Sequence, residues 1–466
     1  MPLPPTTVPP GDQSPSRRRS ERDDACPGAL RLHPADDGAL ARVRVPGGLL
    51  TTHQADALAR VAEELGDGRL DITSRGNLQV RGLDAGCGAE LAGRLRAAGL
   101  LPSDRHERVR NVVASPLCGL DDAGHADVAA WARELDAAVC DETSGELSAL
   151  SGRFLFALDD GRGDVAALGA DVTLIATPGG GAVLRMPGPA CRSERTEGRD
   201  TPDSIELWVR EAGDVPRAAA LAAVEFLASV RASGTRAWRV RELPAQHAVA
   251  ADGLATRLAA AGIETVRTVR TDPDPGLSPP GPAPGLVTGS DGRLAVSVAV
   301  PLGRVSAAQW RLLATLASRG GSGELRVTPW RGVVLPGFSP DGGRTASGEL
   351  SDAGLVTDPA SPWLGVGACT GRPGCAKSLA DVRADAARAV AGDRRPGSLP
   401  VYFSGCERRC GHPGGRWVDA LATGAGYRVT VREVPETAGA DTGADVTADV
   451  TAEQVADAVA AARGTR

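Results

Sequence analysis

Residues 46–82 read PGGLLTTHQADALARVAEELGDGRLDITSRGNLQVRG, and residues 301–337 read PLGRVSAAQWRLLATLASRGGSGELRVTPWRGVVLPG. Each stretch begins at a proline that stops an alternating run, Leu40 to Val45 in the first and Val296, Val298 and Val300 in the second. Each then offers a helix. Thr51 or Thr52 can cap the first, where Leu58, Val61, Ala62 and Leu65 share a face; Trp310, Leu313 and Ala317 mark the second. Each ends on a strand-like run bearing an arginine, expected around Leu70 to Val80 in the first copy. Pro46 to Thr73 is 27 positions, as is Pro301 to Thr328. Unrelated β-α-β units rarely share such a register, so the chain reads as an internal duplication.

A weaker parallel follows each unit. Arg110 to Leu120 precedes a helix through Val128, Ala132, Leu135 and Val139 and then the apolar stretch Phe154 to Leu158. Leu364 to Cys375 precedes a helix expected over Leu379 to Val390 and then Val401 to Ser404. The expected divisions are a disordered tail at 1–25, half-domains at 26–100 and 288–345, and larger domains at 101–270 and 346–435. A Pro-rich linker at 271–287 separates the halves, and an acidic tail with a terminal helix occupies 436–466. Arg217 to Val230 and Ala251 to Ala261 read as amphipathic helices completing the first half.

The 466 residues carry a formal charge of −6, so no global basic field points to nucleic acid. Hydrophobic residues make up 42%, and no apolar run reaches the 18 or so residues of a membrane helix, so no membrane partner is expected. Arg17, Arg18 and Arg19 are followed by Glu21, Asp23 and Asp24 rather than an apolar segment, which argues against export and for the cytoplasm.

Of nine cysteines, Cys26, Cys87, Cys118, Cys140 and Cys191 are scattered singly. Cys369, Cys375, Cys406 and Cys410 are spaced as Cys-x5-Cys and Cys-x3-Cys in glycine-containing loops, a pattern suited to a 4Fe-4S cluster. Structural zinc usually takes closer pairs or histidine, and disulfides remain a further alternative. Arg75, Arg81, Arg110, Arg153 and Arg331 recur in the motif loops, which favours a polycarboxylate ligand over a set of merely solvated arginines. No Gly-x-Gly-x-x-Gly after a strand marks a nicotinamide domain, so electrons are expected from a separate reductase.

On these residues, the chain resembles the nitrite and sulfite reductase superfamily over about 26–435. The cysteine spacing matches its cluster motif, and TSRGNLQVRG resembles its TTRQNLQLRG signature. Within it, SGCERRCGHP and CPGALRLHPADDG look most like the precorrin-3B synthase family, whose pattern is SGCAKGCAHP. The resemblance implies an α+β fold: duplicated ferredoxin-like half-domains plus two nitrite/sulfite reductase-type α/β cluster domains in pseudo-twofold arrangement. It also implies an iron-sulfur oxidoreductase of monooxygenase type. The implied reaction is hydroxylation and lactonisation of precorrin-3A, a tetrapyrrole, using dioxygen and electrons from NADH or a separate reductase.

The implied cofactors are a 4Fe-4S cluster on Cys369, Cys375, Cys406 and Cys410 and a mononuclear non-heme iron. Siroheme enters only under the alternative of a sulfite or nitrite reductase. Arg75 and Arg110 match reductase arginines, whereas the reductases' lysine motif LPRKFK aligns with Leu150 to Leu155. One lysine there becomes Arg153 and the other Leu155, which counts against reduction of a small oxyanion. Arg75, Arg110 and Arg153 are therefore candidate catalytic groups, and Arg75, Asn77, Arg81, Arg110, Arg153 and Arg331 candidate substrate-binding ones. His33, His53, His106, His125, His247 and His412 form no recognisable ligand pattern for the mononuclear iron. A non-catalytic iron-sulfur electron-transfer protein is a further alternative.

Overall fold

The computed structural model describes residues 26–141, 145–188, 204–268, 281–392, 399–434 and 445–464. The N-terminal tail, Cys191 and residues 271–280 of the Pro-rich linker lie outside the described residues.

The first unit contains β1 (His33–Ala35), β2 (Gly38–Val43), β3 (Leu49–Thr51), α1 (Thr52–Glu64), β4 (Arg69–Ile72), β5 (Leu78–Leu83) and α2 (Gly88–Ala97). Thr51 caps α1 through a reciprocal capping box with Gln54. Leu58, Val61 and Ala62 are buried on its inner face, as their spacing predicts. The single strand expected over Leu70 to Val80 is instead a hairpin. Thr73 Oγ1 accepts from the Arg75 and Asn77 amides at 3.3 and 3.1 Å. Gly76 takes φ 65°, turning the chain between β4 and β5.

The second unit contains β6 (Val112–Ala114), α3 (Val128–Cys140), β7 (Phe156–Asp159), β8 (Val172–Ala176), β9 (Ala182–Met186), β10 (Ile205–Val209), α4 (Val215–Ser233), α5 (Ala251–Ala260) and β11 (Thr265–Arg267). Strands β6, β7 and β8 are parallel, and β9, β10 and β11 continue the sheet antiparallel. The third unit repeats the first: β12 (Gly285–Thr288), β13 (Leu294–Ala299), β14 (Arg304–Ser306), α6 (Ala307–Arg319), β15 (Glu324–Val327), β16 (Gly332–Phe338) and α7 (Pro340–Asp352). Its helix α6 carries the matching capping box, Ser306 with Gln309.

The fourth unit repeats the second in shorter form: β17 (Val366–Ala368), α8 (Val382–Gly392), β18 (Val401–Ser404), β19 (Gly415–Ala422), β20 (Tyr427–Val434), β21 (Asp445–Val450) and α9 (Val455–Arg463). Again three strands are parallel and the next two antiparallel. The helix expected from Leu379 begins at Val382, where Asp381 accepts from the Ala384 amide. In the region expected as an acidic tail with a terminal helix, β21 forms the sheet's edge strand and the helix is α9, whose Val455, Val459 and Ala462 are buried.

The duplicated units exchange strands. β3 pairs with β15 of the third unit, and β14 pairs with β4 of the first. The registers are reciprocal: Leu50 faces Leu325, and Val305 faces Leu70. Helices α1 and α6 pack together, with the fully buried Trp310 donating its indole N–H to the Ala55 carbonyl at 2.9 Å. One hydrophobic core runs through both units, so the halves form a single body, while the second and fourth units have their own cores. Among the described residues no helix is long and apolar enough to cross a membrane.

Candidate functional site

Two arrangements meet around the duplicated hairpins: an arginine pocket on the first copy and a cysteine centre on the fourth unit. The pocket opens beside the 73–77 turn, with a volume of 470 Å³. Six arginines line it, Arg42, Arg44, Arg75, Arg153, Arg239 and Arg241, against one acid, Glu242. Arg42 and Arg44 stand on or just after β2 with one residue between them, so the strand's period of two aims both the same way.

Arg44 is the least compensated of these cations. It is 2% exposed, and its guanidinium makes only 3.4 Å contacts, to Asn111 Oδ1 and the Gly152 carbonyl. Its Nε has no partner, and among the described residues no carboxylate is within ion-pair distance of it. Burial pushes its pKa down to about 9, and Arg42 and Arg75 add repulsion. Burial likewise lowers Arg75 to about 10, with Arg239 contributing, and lowers Arg42 and Arg241. Arg239 is anchored by buried Asp171 at 2.5 Å. A pocket of mutually repelling guanidiniums, several short of a counterion, is chemically a receptor for a polyanion.

The candidate residues separate in space. Arg75 and Arg153 reach the pocket and touch each other, Arg75 Nη1 donating to the Arg153 carbonyl at 3.1 Å. Arg153 also lies over the Trp238 ring, 4.3 Å from its centroid. Asn77 lines the pocket, but its amide is occupied in the scaffold: it accepts from the Val45 amide and donates to Asn111 Oδ1 at 2.9 Å. Arg110 is buried outside the pocket lining, gripping Asp136 with two 2.7 Å bonds and the Leu100 carbonyl with a third. Arg81 pairs with Asp37 and donates to the Gly374 carbonyl at 3.0 Å. Leu155 is 3% exposed and packs with Val113, Ala157, Val165 and Ala170, so no side chain stands in the pocket at this position. Sequence reading missed Arg42, Arg44, Arg239, Arg241 and Asn111. The Arg42–Val43–Arg44 alternation was the available signal for the first two.

Arg331 belongs to the second copy's turn. Thr328 Oγ1 accepts from the Gly332 amide at 3.1 Å, as Thr73 does from Asn77, and Arg331 takes φ 60°. Its guanidinium lies 5.9 Å from the Tyr402 ring centroid and 3.4 Å from the Gly411 carbonyl. Tyr402 in turn donates to the Cys410 carbonyl at 2.6 Å.

The two cysteine loops follow the carboxyl ends of the adjacent parallel strands β17 and β18. Gly405 N donates to Cys369 Sγ at 3.2 Å, and a Cβ at Gly405 would lie 2.0 Å from Ser378 Oγ. Arg383 Nε donates to the Cys369 carbonyl, and its Nη2 lies 3.2 Å from Asp71. Burial raises the Cys410 thiol, with Cys406, Cys369 and Cys375 adding repulsion, so the four sulfurs share one neighbourhood. Zinc at 2.3 Å from four thiolates would hold them about 3.8 Å apart. Among the described residues no three of these sulfurs lie within 4.8 Å of one another. The wider spacing and the backbone N–H aimed at Cys369 fit a cubane cluster better than a single ion.

The donors do not fit a mononuclear non-heme iron. Among the described residues, the compact group of potential ligands is Asp159, Asp160 and Asp164, which contains no histidine. Its oxygens are taken by backbone amides, by Arg162 and by Ser115. His412 is stacked on Trp417 and bonded to the Pro413 carbonyl, and His106 pairs with Ser103.

Comparison with known proteins agrees with this architecture. The family described as "Nitrite/Sulfite reductase ferredoxin-like half domain" matches residues 33–98 and 288–342, one match on each copy. A precorrin-3B synthase from Sinorhizobium is 26% identical over 419 residues, covering 88% of this chain and 83% of that one. A ferredoxin–nitrite reductase from Synechococcus elongatus is 28% identical over 403 residues, covering 80% and 74%. The solved structure of the Mycobacterium tuberculosis NirA protein superposes with a TM-score of 0.69 at 22% identity, covering 90% of this chain and 79% of that one. With the half-domain matched once on each copy and full-length similarity to both a precorrin-3B synthase and a nitrite reductase, this chain resembles the proteins that carry the nitrite/sulfite reductase ferredoxin-like half-domain.

Proposed function

We propose that the chain is a cytoplasmic iron-sulfur oxidoreductase that binds a polycarboxylate tetrapyrrole in the arginine pocket, and that its substrate is precorrin-3A. The observation that carries the reading is Arg44, a buried guanidinium with no carboxylate within ion-pair distance among the described residues, in company with five further arginines. A tetrapyrrole rimmed with carboxylates supplies the missing charges at several points at once. The relative named precorrin-3B synthase supports this substrate, as does the absence of a pocket-facing side chain at Leu155.

In this reading Arg42, Arg44 and Arg75 bind carboxylates and orient the macrocycle, Asn77 and Asn111 fix the strand that presents Arg44, and Arg153 closes the pocket against Trp238. Cys369, Cys375, Cys406 and Cys410 would hold a 4Fe-4S cluster, which supplies one-electron storage when bound. The overall change is oxygen insertion with lactone closure: one atom of dioxygen enters the substrate, the other leaves as water, and a reductant provides two electrons. No step is assigned to a mononuclear iron, for which the described residues offer no ligand set.

The test is anaerobic purification with iron, sulfide and absorption analysis, then incubation with precorrin-3A, dioxygen and a reductant. Lactone formation without siroheme absorption supports the proposal. Siroheme absorption with unchanged precorrin overturns it in favour of a sulfite or nitrite reductase.

A further inference from the structure

The first ferredoxin-like half touches the first cysteine loop across 293 positions of sequence. The β1–β2 turn presents Asp36 and Asp37 to it. Asp36 accepts from the amide of Ala376, immediately after Cys375. Asp37 takes two bonds from Arg81, at 2.9 and 2.8 Å, and Arg81 then donates to the Gly374 carbonyl, immediately before Cys375. There is no slack in the contact: a Cβ at Gly374 would lie 2.6 Å from Asp37 Oδ2. Arg81 is 5% exposed, and its donors are spent on this contact rather than on the pocket.

We propose that Asp36, Asp37 and Arg81 form a clasp that presets the Cys369–Cys375 loop for its cluster and tunes the cluster's reduction potential. This rests on the four-cysteine reading of the cluster site. The two peptide groups flanking Cys375 are held from opposite sides, one by its carbonyl and one by its amide. Each peptide is planar, so pinning a carbonyl in one plane and an N–H in the next fixes both planes that meet at the Cys375 Cα, and with them where its side chain leaves the loop. Charges so close to the ligands also act on the redox equilibrium, because the reduced cluster carries one more negative charge. Arg81 favours the reduced form and Asp36 the oxidised form. Loss of preorganisation and loss of charge therefore predict different patterns.

The experiment compares full-length wild type with Arg81→Met, Arg81→Lys and Asp36→Ala, the last an exposed position whose removal leaves the core intact. Readouts are iron and sulfide content, iron release to a chelator, and midpoint potential by redox titration followed by electron paramagnetic resonance. Both Arg81→Met and Asp36→Ala are expected to release iron at least tenfold faster. Their potentials move in opposite directions, downward for Arg81→Met and upward for Asp36→Ala. Arg81→Lys keeps a potential near wild type with intermediate iron release. Potentials that move together, or do not move, overturn the clasp. A wild-type protein that takes up no iron and sulfide overturns instead the cluster reading beneath it.

Discussion

Gly76 and Arg331 occupy the same position of the duplicated turn and share its left-handed backbone, with φ of 65° and 60°. Only the second copy spends a side chain there. A non-glycine residue in this region costs on the order of 1 kcal/mol, and such strain persists where the contact it permits is useful. Here the contact is with Tyr402 and Gly411, beside Cys410. Arg331→Gly relieves the strain but adds backbone entropy to the unfolded chain, so thermal stability changes by less than about 1 kcal/mol. Iron release, followed by chelator absorbance, rises several-fold.

Arg44→Met has opposite effects on the free and liganded protein. Replacing a buried, poorly compensated charge by an apolar side chain stabilises the ligand-free chain by about 1–4 kcal/mol. Affinity for a tetrapyrrole carboxylate falls by tenfold or more. Denaturant melts of the free protein and fluorescence titration with a porphyrin polycarboxylate measure the two arms. A destabilised free protein would contradict the charge argument.

Cys406→Ser abolishes the broad iron-sulfur absorption, whereas Cys140→Ser leaves it intact. Burial pushes the Cys140 thiol up to about 11, with Asp136 adding repulsion, and it lies beside Arg110 rather than among the four spaced cysteines. Equal losses in both variants would refute the four-ligand assignment.

Asp164 gives the fold an acid-side dependence. Burial raises its carboxyl to about 6, partly offset by a bond from Ser115 Oγ and reinforced by Asp159 and Asp160. The folded chain thus holds this proton more tightly than the unfolded chain. Its contribution is fully present below pH 4 and is lost as pH rises to about 6. Over that interval stability falls by about 2–3 kcal/mol from this group, at 1.36 kcal/mol per unit. In Asp164→Asn that component of the pH dependence vanishes, which urea melts at pH 5 and pH 7 will show.

Much of the fold was legible because its signals are local and doubled. The 27-residue spacing and the helix faces repeat at an offset of 255 positions, so each copy corroborates the other, and Thr51 marks the start of the first helix. The hairpin at Gly76 was not, since the turn Thr73–Asn77 sits between two short alternating segments, Leu70–Ile72 and Leu78–Val80, and leaves their period of two undisturbed. The site was legible by type and less by role. Arg75, Arg81, Arg110, Arg153 and Arg331 look alike in sequence, yet two face the pocket, two bear on the cysteine loops and one binds Asp136. What separates them is the partner across the fold, and for Arg81 that partner's carbonyl belongs to Gly374, in the other half of the chain.

The reciprocal pairing of β3 with β15 and of β14 with β4 has a consequence for biosynthesis. Neither sheet can be finished from its own half of the chain. When β4 leaves the ribosome, the strand that will cover its edge is still more than 230 residues from being synthesised. At 5–20 residues per second, that edge waits roughly 10–50 s. An uncovered strand edge is a template for pairing with other chains. Nascent first halves on one messenger are thus each other's nearest competitors for the missing strand until Arg304–Ser306 arrives.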